Sequence, residues 1–149
     1  MAPEPILVDG AWRQADRPSG TFSAVDPSTG TPCDRVFPVS GAEDVELACR
    51  AAARAVVALR SVSPDRLADF LDDYAARIEA DRDTLVALAA RETGLPAAPR
   101  LASVELPRTT NQLRQAATAA RDRSWCRATI DPAVNIRTMF GPLGGAVVV

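Results

Sequence analysis

The side chains that most often carry covalent chemistry are sparse in this sequence. Cys33, Cys49 and Cys126 are the only cysteines among 149 residues, and histidine is absent. Without imidazole, neither a Ser-His-Asp nor a Cys-His arrangement can form within the chain, and imidazole metal sites are excluded. Lysine is absent as well: all 17 basic residues are arginines. That removes Schiff-base chemistry and the phosphate-loop lysine. No two cysteines stand at CxxC spacing, so no metal site is expected, and the three read as small reduced thiols. No catalytic residue is assigned to the chain. The arginines remain, and their planar guanidinium groups suit recognition of carboxylates.

The charge balance narrows the partners. Nineteen acidic residues against 17 basic ones give a net charge of -2. There is no basic field for nucleic acid or for an anionic membrane, so neither is expected as a partner. Apolar residues make up 47% of the chain, which is enough for a core. The start, Met1-Ala2-Pro3-Glu4-Pro5, lacks the charged-then-apolar pattern of a signal peptide. No apolar run approaches the ~20 residues of a membrane span. The sequence therefore reads as a soluble, cytoplasmic protein.

The elements that must position these side chains fall into three stretches. The first forty residues read as strands and turns. Asp9-Gly10 between Ile6-Leu7-Val8 and Ala11-Trp12 predicts a hairpin, because both turn positions favour positive φ. Phe22 to Val25 reads as a strand ending in the turn Asp26-Pro27-Ser28-Thr29-Gly30. Arg35 to Val39 reads as an edge strand, because Pro38 cannot donate to a ladder.

Four helices are expected next. The first begins at Ser40 with a capping box to Glu43, followed by an apolar stripe of Val45, Ala48, Ala52, Ala55, Val56 and Leu59. The second begins at Ser63-Pro64-Asp65 and buries Leu67, Leu71, Tyr74 and Ile78. The third starts near Asp81 and stops at Gly94, with Pro96 beyond it. The fourth runs from about Pro99 to Arg123, and Pro107 must kink or split it.

From Trp125 the period becomes two. Residues 125–130 and 135–140 read as paired strands. Gly141, Gly144 and Gly145 precede an apolar strand rather than following one, so they do not form a dinucleotide fingerprint. The sequence ends within that strand, Ala146-Val147-Val148-Val149, and reads as the front part of something longer.

Six ordered segments together resemble the N-terminal third of the aldehyde dehydrogenase superfamily. They are Val8-Asp9-Gly10-Ala11-Trp12, Asp26-Pro27-Ser28-Thr29-Gly30, Glu43-Asp44-Val45, Ser63-Pro64-Asp65-Arg66, Glu92-Thr93-Gly94-Leu95-Pro96 and Pro142-Leu143-Gly144-Gly145-Ala146-Val147. Pro99-Arg100-Leu101, the run Glu105 to Arg114, and Ser124-Trp125 look most like the α-ketoglutaric semialdehyde (2,5-dioxovalerate) dehydrogenase branch. Pro107 departs from the small residue expected there.

The resemblance implies an α/β fold: a truncated N-terminal portion with short strands, four helices, an oligomerisation ribbon and the first Rossmann-like strand. Residues 1–124 would form the N-terminal strands and helices of the cofactor-binding domain. Residues 125–140 would form the oligomerisation ribbon of a homo-oligomer, and 141–149 would lead into the first Rossmann-like strand. The implied function is NAD(P)-dependent oxidation of an aldehyde to the acid, with a carboxylate-bearing substrate such as α-ketoglutaric semialdehyde. In that family a cysteine thiolate attacks the aldehyde, hydride passes to the nicotinamide, and a glutamate-activated water hydrolyses the thioester. The catalytic cysteine, the glutamate, the oxyanion asparagine and the residues that hold NADP or NAD would all lie beyond Val149. The 149 residues alone would then be inactive. Matching Leu113-Arg114 to the family's Leu-Arg pattern places Arg108 at a tunnel-facing position, where it would bind the substrate carboxylate. The competing reading is a non-catalytic helical module for interaction or oligomerisation.

Overall fold

A computed structural model describes residues 2–145. Residues 146–149, where an apolar strand is expected, lie outside the described residues. The described chain divides into two compact units. The first holds the residues up to Ser61, Leu88–Leu95 and the two glycines after Leu143; the second holds Val62–Ala87 and Pro96–Leu143.

The first unit begins with the expected hairpin. β1 (Ile6–Val8) pairs antiparallel with β2 (Ala11–Arg13), with Leu7 opposite Trp12. Asp9 and Gly10 both take positive φ, as a two-residue turn of this hand requires. The strand expected at 22–25 is divided: β3 (Gly20–Phe22) and β4 (Val25–Asp26) belong to different ladders. β4 pairs with β5 (Thr31–Pro32) around the turn, in which Gly30 has φ +70 and its N–H donates to the Asp26 carbonyl at 2.8 Å. β3 pairs with β6 (Phe37–Val39), so Pro38 lies in a two-stranded sheet where its missing N–H is tolerated.

α1 (Ala42–Leu59) starts later than the capping box would place it. Gly41 is the N-cap, and no side chain caps the helix. Shifting the start by one residue puts Asp44 in the first turn facing inward. There its Oδ2 accepts the Asp16 N–H at 2.9 Å, a tie that fixes the helix start from outside the helix. The buried stripe shifts with it: Asp44 and Ala51 are buried, whereas Val45 and Leu59 are exposed.

α3 (Arg82–Thr93) ends as expected. Gly94 has φ +70, and its N–H donates to the Ala90 carbonyl at 2.9 Å. A Cβ at Gly94 would lie 2.9 Å from Cγ of Pro27, so glycine is required there by space as well as by φ. Arg91, one turn earlier, donates to Asp34 at 3.0 Å. The Asp26–Gly30 turn and Gly94, far apart in sequence, therefore lie against each other within the first unit.

The second unit is built on α2 (Pro64–Ala80) against α4 (Leu106–Asp122). Ser63 caps α2, its hydroxyl accepting the Arg66 N–H at 3.2 Å, and Pro64 occupies the first turn. The face that α2 buries differs from expectation. Ala68 and Ala75 are fully buried, while Leu67 and Tyr74 are exposed. Ala117 on α4 is likewise fully buried, and Thr110 nearly so. Small residues at these positions let two helix backbones approach closely. Two ionic clamps also join the pair. Arg114 grips Glu79 with two bonds of 2.6 and 2.7 Å, and Arg121 reaches both Asp69 and Asp72 at 2.8 Å.

The expected fourth helix is split at Pro107. Across Ala97–Glu105 the backbone bonds are wide, the Leu101 N–H donating to the Pro96 carbonyl and the Leu106 N–H to that of Leu101, and the winding is interrupted at Ala98, which is extended at φ -126, ψ 140. Regular α-helix begins at Leu106, which leaves Pro107 in the first turn, where its missing N–H is least costly. α4 ends at Arg123 in the left-handed region.

The ribbon is shorter than its expected 125–130 and 135–140 arms. Ser124–Cys126 forms a 3-10 turn, with Arg123 and Arg127 at positive φ on either side. Only β7 (Thr129–Asp131) and β8 (Ile136–Thr138) pair, with Ile130 opposite Arg137. The 141–145 segment has no regular structure.

Candidate functional site

Arg108 stands in the first turn of α4, and its side chain is 66% exposed. It is not isolated. Its Nη1 lies 3.7 Å from Oε2 of Glu105, one turn earlier. The other oxygen of Glu105 is paired with Arg100 Nη2 at 2.5 Å. The wide turn makes this second pairing possible. Residues five apart fall near one another when the backbone bonds skip five residues, whereas on an α-helix they diverge. Glu105 is the least exposed of the three, at 29%, against 53% for Arg100. One carboxylate thus lies between two guanidinium groups, leaving one unmatched positive charge at the head of α4.

The amide of Leu106 at this junction is bonded and Pro107 has none, so an anion arriving here would meet guanidinium rather than a free helix end. The Thr109 hydroxyl donates to the Glu105 carbonyl at 2.9 Å, and the Thr110 hydroxyl to the Pro107 carbonyl at 3.2 Å. These bonds fix the backbone on which Glu105 and Arg108 stand. Sequence reasoning singled out Arg108 but gave no role to Arg100 or Glu105. The i,i+3 pairing of Glu105 with Arg108 is readable from spacing. The Arg100 pairing depends on a π-type winding that helical periodicity does not suggest.

The cysteines form no second centre. Cys33 and Cys126 are buried, Cys49 is exposed on α1, and all three are free. Among the described residues no group of three or more metal-ligating side chains gathers.

The first unit holds a cavity of about 640 Å3, walled by Ile6, Val8, Phe22, Phe37 and Val39, with Asp44 on its lining. Asp44 Oδ1 has no hydrogen-bond partner and lies 3.9 Å from an Arg13 guanidinium nitrogen. The nearby start of α1 does not fit a cofactor pyrophosphate. A Cβ at Gly41 would already lie 3.2 to 3.3 Å from the Arg17 and Asp16 carbonyl oxygens, and Glu43 and Asp44 make that first turn acidic.

The comparisons with known proteins agree with this architecture. The profile of the Aldehyde dehydrogenase family matches residues 12–149. The chain belongs to that family. Among curated relatives it is 45% identical over 121 residues to alpha-ketoglutaric semialdehyde dehydrogenase 2 of Azospirillum brasilense, covering 80% of this chain and 23% of that protein. It is 33% identical over 128 residues to the alpha-ketoglutaric semialdehyde dehydrogenase of Acinetobacter baylyi, covering 86% and 24%. The chain thus spans about a quarter of the length of these relatives.

Solved structures share the fold. An NAD-dependent benzaldehyde dehydrogenase from Corynebacterium glutamicum superposes with a TM-score of 0.73 at 17% identity, over 89% of this chain and 27% of that one. A betaine aldehyde dehydrogenase from Staphylococcus aureus, in complex with NAD+, gives 0.72 at 18% identity, over 87% and 25%. The α/β fold expected from the sequence, an N-terminal portion of the aldehyde dehydrogenase architecture, is the one found.

Proposed function

We propose that the chain supplies the N-terminal portion of an NAD(P)-dependent aldehyde dehydrogenase that oxidises a carboxylate-bearing aldehyde, such as α-ketoglutaric semialdehyde, to the acid. The single observation that carries the substrate class is the unmatched positive charge at Arg108, on a helix start joined to the Arg100–Glu105 pair. The identity to two α-ketoglutaric semialdehyde dehydrogenases supports the same class. In this reading Arg108 holds the substrate carboxylate and so orients the aldehyde carbon. The bound nicotinamide cofactor supplies the hydride acceptor. The catalytic cysteine, the glutamate base, the oxyanion asparagine and the cofactor-holding residues are contributed beyond Val149. The enzyme works in the cytoplasm as a homo-oligomer joined through the 125–140 ribbon, on which Ile130 and Ile136 are exposed.

The surface of the chain favours this over a self-sufficient interaction module. Trp12 and Phe22 in the first unit, and Phe70 and Tyr74 in the second, are large apolar side chains left exposed. Such exposure suits a piece whose faces are covered by further chain.

The test begins with the DNA downstream of codon 149. A frame that continues into an Asn-Phe-Pro segment and later a Cys and a Glu is expected, and its product should form NADPH or NADH with the semialdehyde. The purified 149-residue chain should form neither. Activity of that chain alone would overturn the reading.

A further inference from the structure

We propose that Glu105, held by Arg100, is a positioning residue that sets the direction of Arg108. The inference rests on the reading of Arg108 as the substrate-carboxylate residue and deepens it. An exposed arginine samples many rotamers, and ordering it at the moment of binding weakens binding. A carboxylate fixed one turn away restrains the guanidinium beforehand, provided that carboxylate is itself fixed. Here it is. Oε1 of Glu105 is held by Arg100 at 2.5 Å, which leaves Oε2 facing Arg108 at 3.7 Å. The backbone beneath is fixed by the Thr109 bond to the Glu105 carbonyl. The separation of 3.7 Å is wide enough for Arg108 to keep donors free for a ligand.

The arrangement also sets the charge. Within the Arg100–Glu105–Arg108 group two guanidinium groups and one carboxylate leave one positive charge, beside Arg82, which donates to the Ala102 carbonyl at 2.7 Å. Glu105 could instead act as a rival to the substrate for Arg108. The two roles differ in sign. If Glu105 positions Arg108, its loss weakens binding of an acidic aldehyde. If it competes, its loss strengthens binding.

The experiment uses the complete enzyme and two aldehydes of equal length, one with a terminal carboxylate and one without. Glu105→Ala and Arg100→Met should each raise KM for the acidic aldehyde about fivefold, the usual size of coupling between contacting groups. Their kcat, and both constants for the neutral aldehyde, should stay unchanged. The double variant should cost little more than either single one, because both act through the same contact. Glu105→Gln, which keeps an acceptor at the same reach, should recover part of the loss. An unchanged or lowered KM in Glu105→Ala overturns the proposal, and so does an equal rise for both aldehydes. Arg108→Met separates this failure from that of the underlying reading. If it removes the preference for the acidic aldehyde while Glu105→Ala and Arg100→Met leave KM unchanged, only the positioning role falls. If Arg108→Met leaves the preference intact, the carboxylate reading falls and the positioning role with it.

Discussion

Glu79 shows how single residues in this chain are tuned by their partners. The Arg114 guanidinium, donating two hydrogen bonds, holds its carboxyl down from 4.5 to about 2. A carboxyl depressed in the folded state adds stability above its unfolded pKa, and that addition is lost as pH falls toward the folded value. The window therefore runs from about 4.5 to about 2. Acid unfolding followed by circular dichroism should show less pH dependence in Glu79→Gln across that window than in the parent. Equal slopes would detach the Arg114 pair from stability. Both side chains are partly exposed, so the effect is expected to shrink with added salt.

Gly94 is a second residue-scale test. Its φ of +70 and the 2.9 Å approach to Pro27 both oppose a side chain. Gly94→Ala should destabilise the chain by more than about 1 kcal/mol, because strain and overlap add. A melting temperature equal to the parent's would contradict this. The glycine was legible in sequence as a helix stop. The packing of Pro27 against it was not, because nothing local links residues 67 positions apart.

The elements fall into those fixed by short-range chemistry and those fixed by packing. The Asp9-Gly10 turn, the Ser63 cap and the Gly94 stop are local, and each lies where sequence reading places it. Ser63→Ala should destabilise α2 by about 1 kcal/mol, the usual cost of losing a serine cap, measured by denaturant unfolding. The capping box places the start of α1 at Ser40, whereas the structure, with the inward Asp44 bonded to Asp16, has Gly41 as the N-cap. The buried face of α2 likewise differs from the one its periodicity suggests. Large apolar side chains suggest a core, but α2 meets α4 through Ala68 and Ala75 and leaves Leu67, Phe70 and Tyr74 exposed. Pro107 announced a break, but not the π-type winding that brings Arg100 to Glu105. The candidate site was thus half legible: the cation was visible, and its neighbours were not.

The whole chain carries about a quarter of the length of its curated relatives and leaves many large apolar side chains exposed. Expressed alone, it should bind a hydrophobic dye and associate non-specifically. A well-behaved monomer with no dye binding would contradict the view that its faces await further chain. In the complete enzyme, Ile136→Lys on β8 should lower the mass seen by sedimentation, since a buried lysine in a ribbon interface has no partner. An unchanged mass would remove the ribbon from the assembly.

In the proposed function Arg108 binds the carboxylate of an acidic aldehyde in an aldehyde dehydrogenase. The most direct measurement is the ratio of kcat/KM for an acidic aldehyde to that for its neutral counterpart, in the complete enzyme and in Arg108→Met. The expected result is a strong preference for the acidic aldehyde in the parent, with a loss of about tenfold or more in the variant, as befits a charge-assisted pair. A parent without preference, or a variant that keeps it, would contradict the claim.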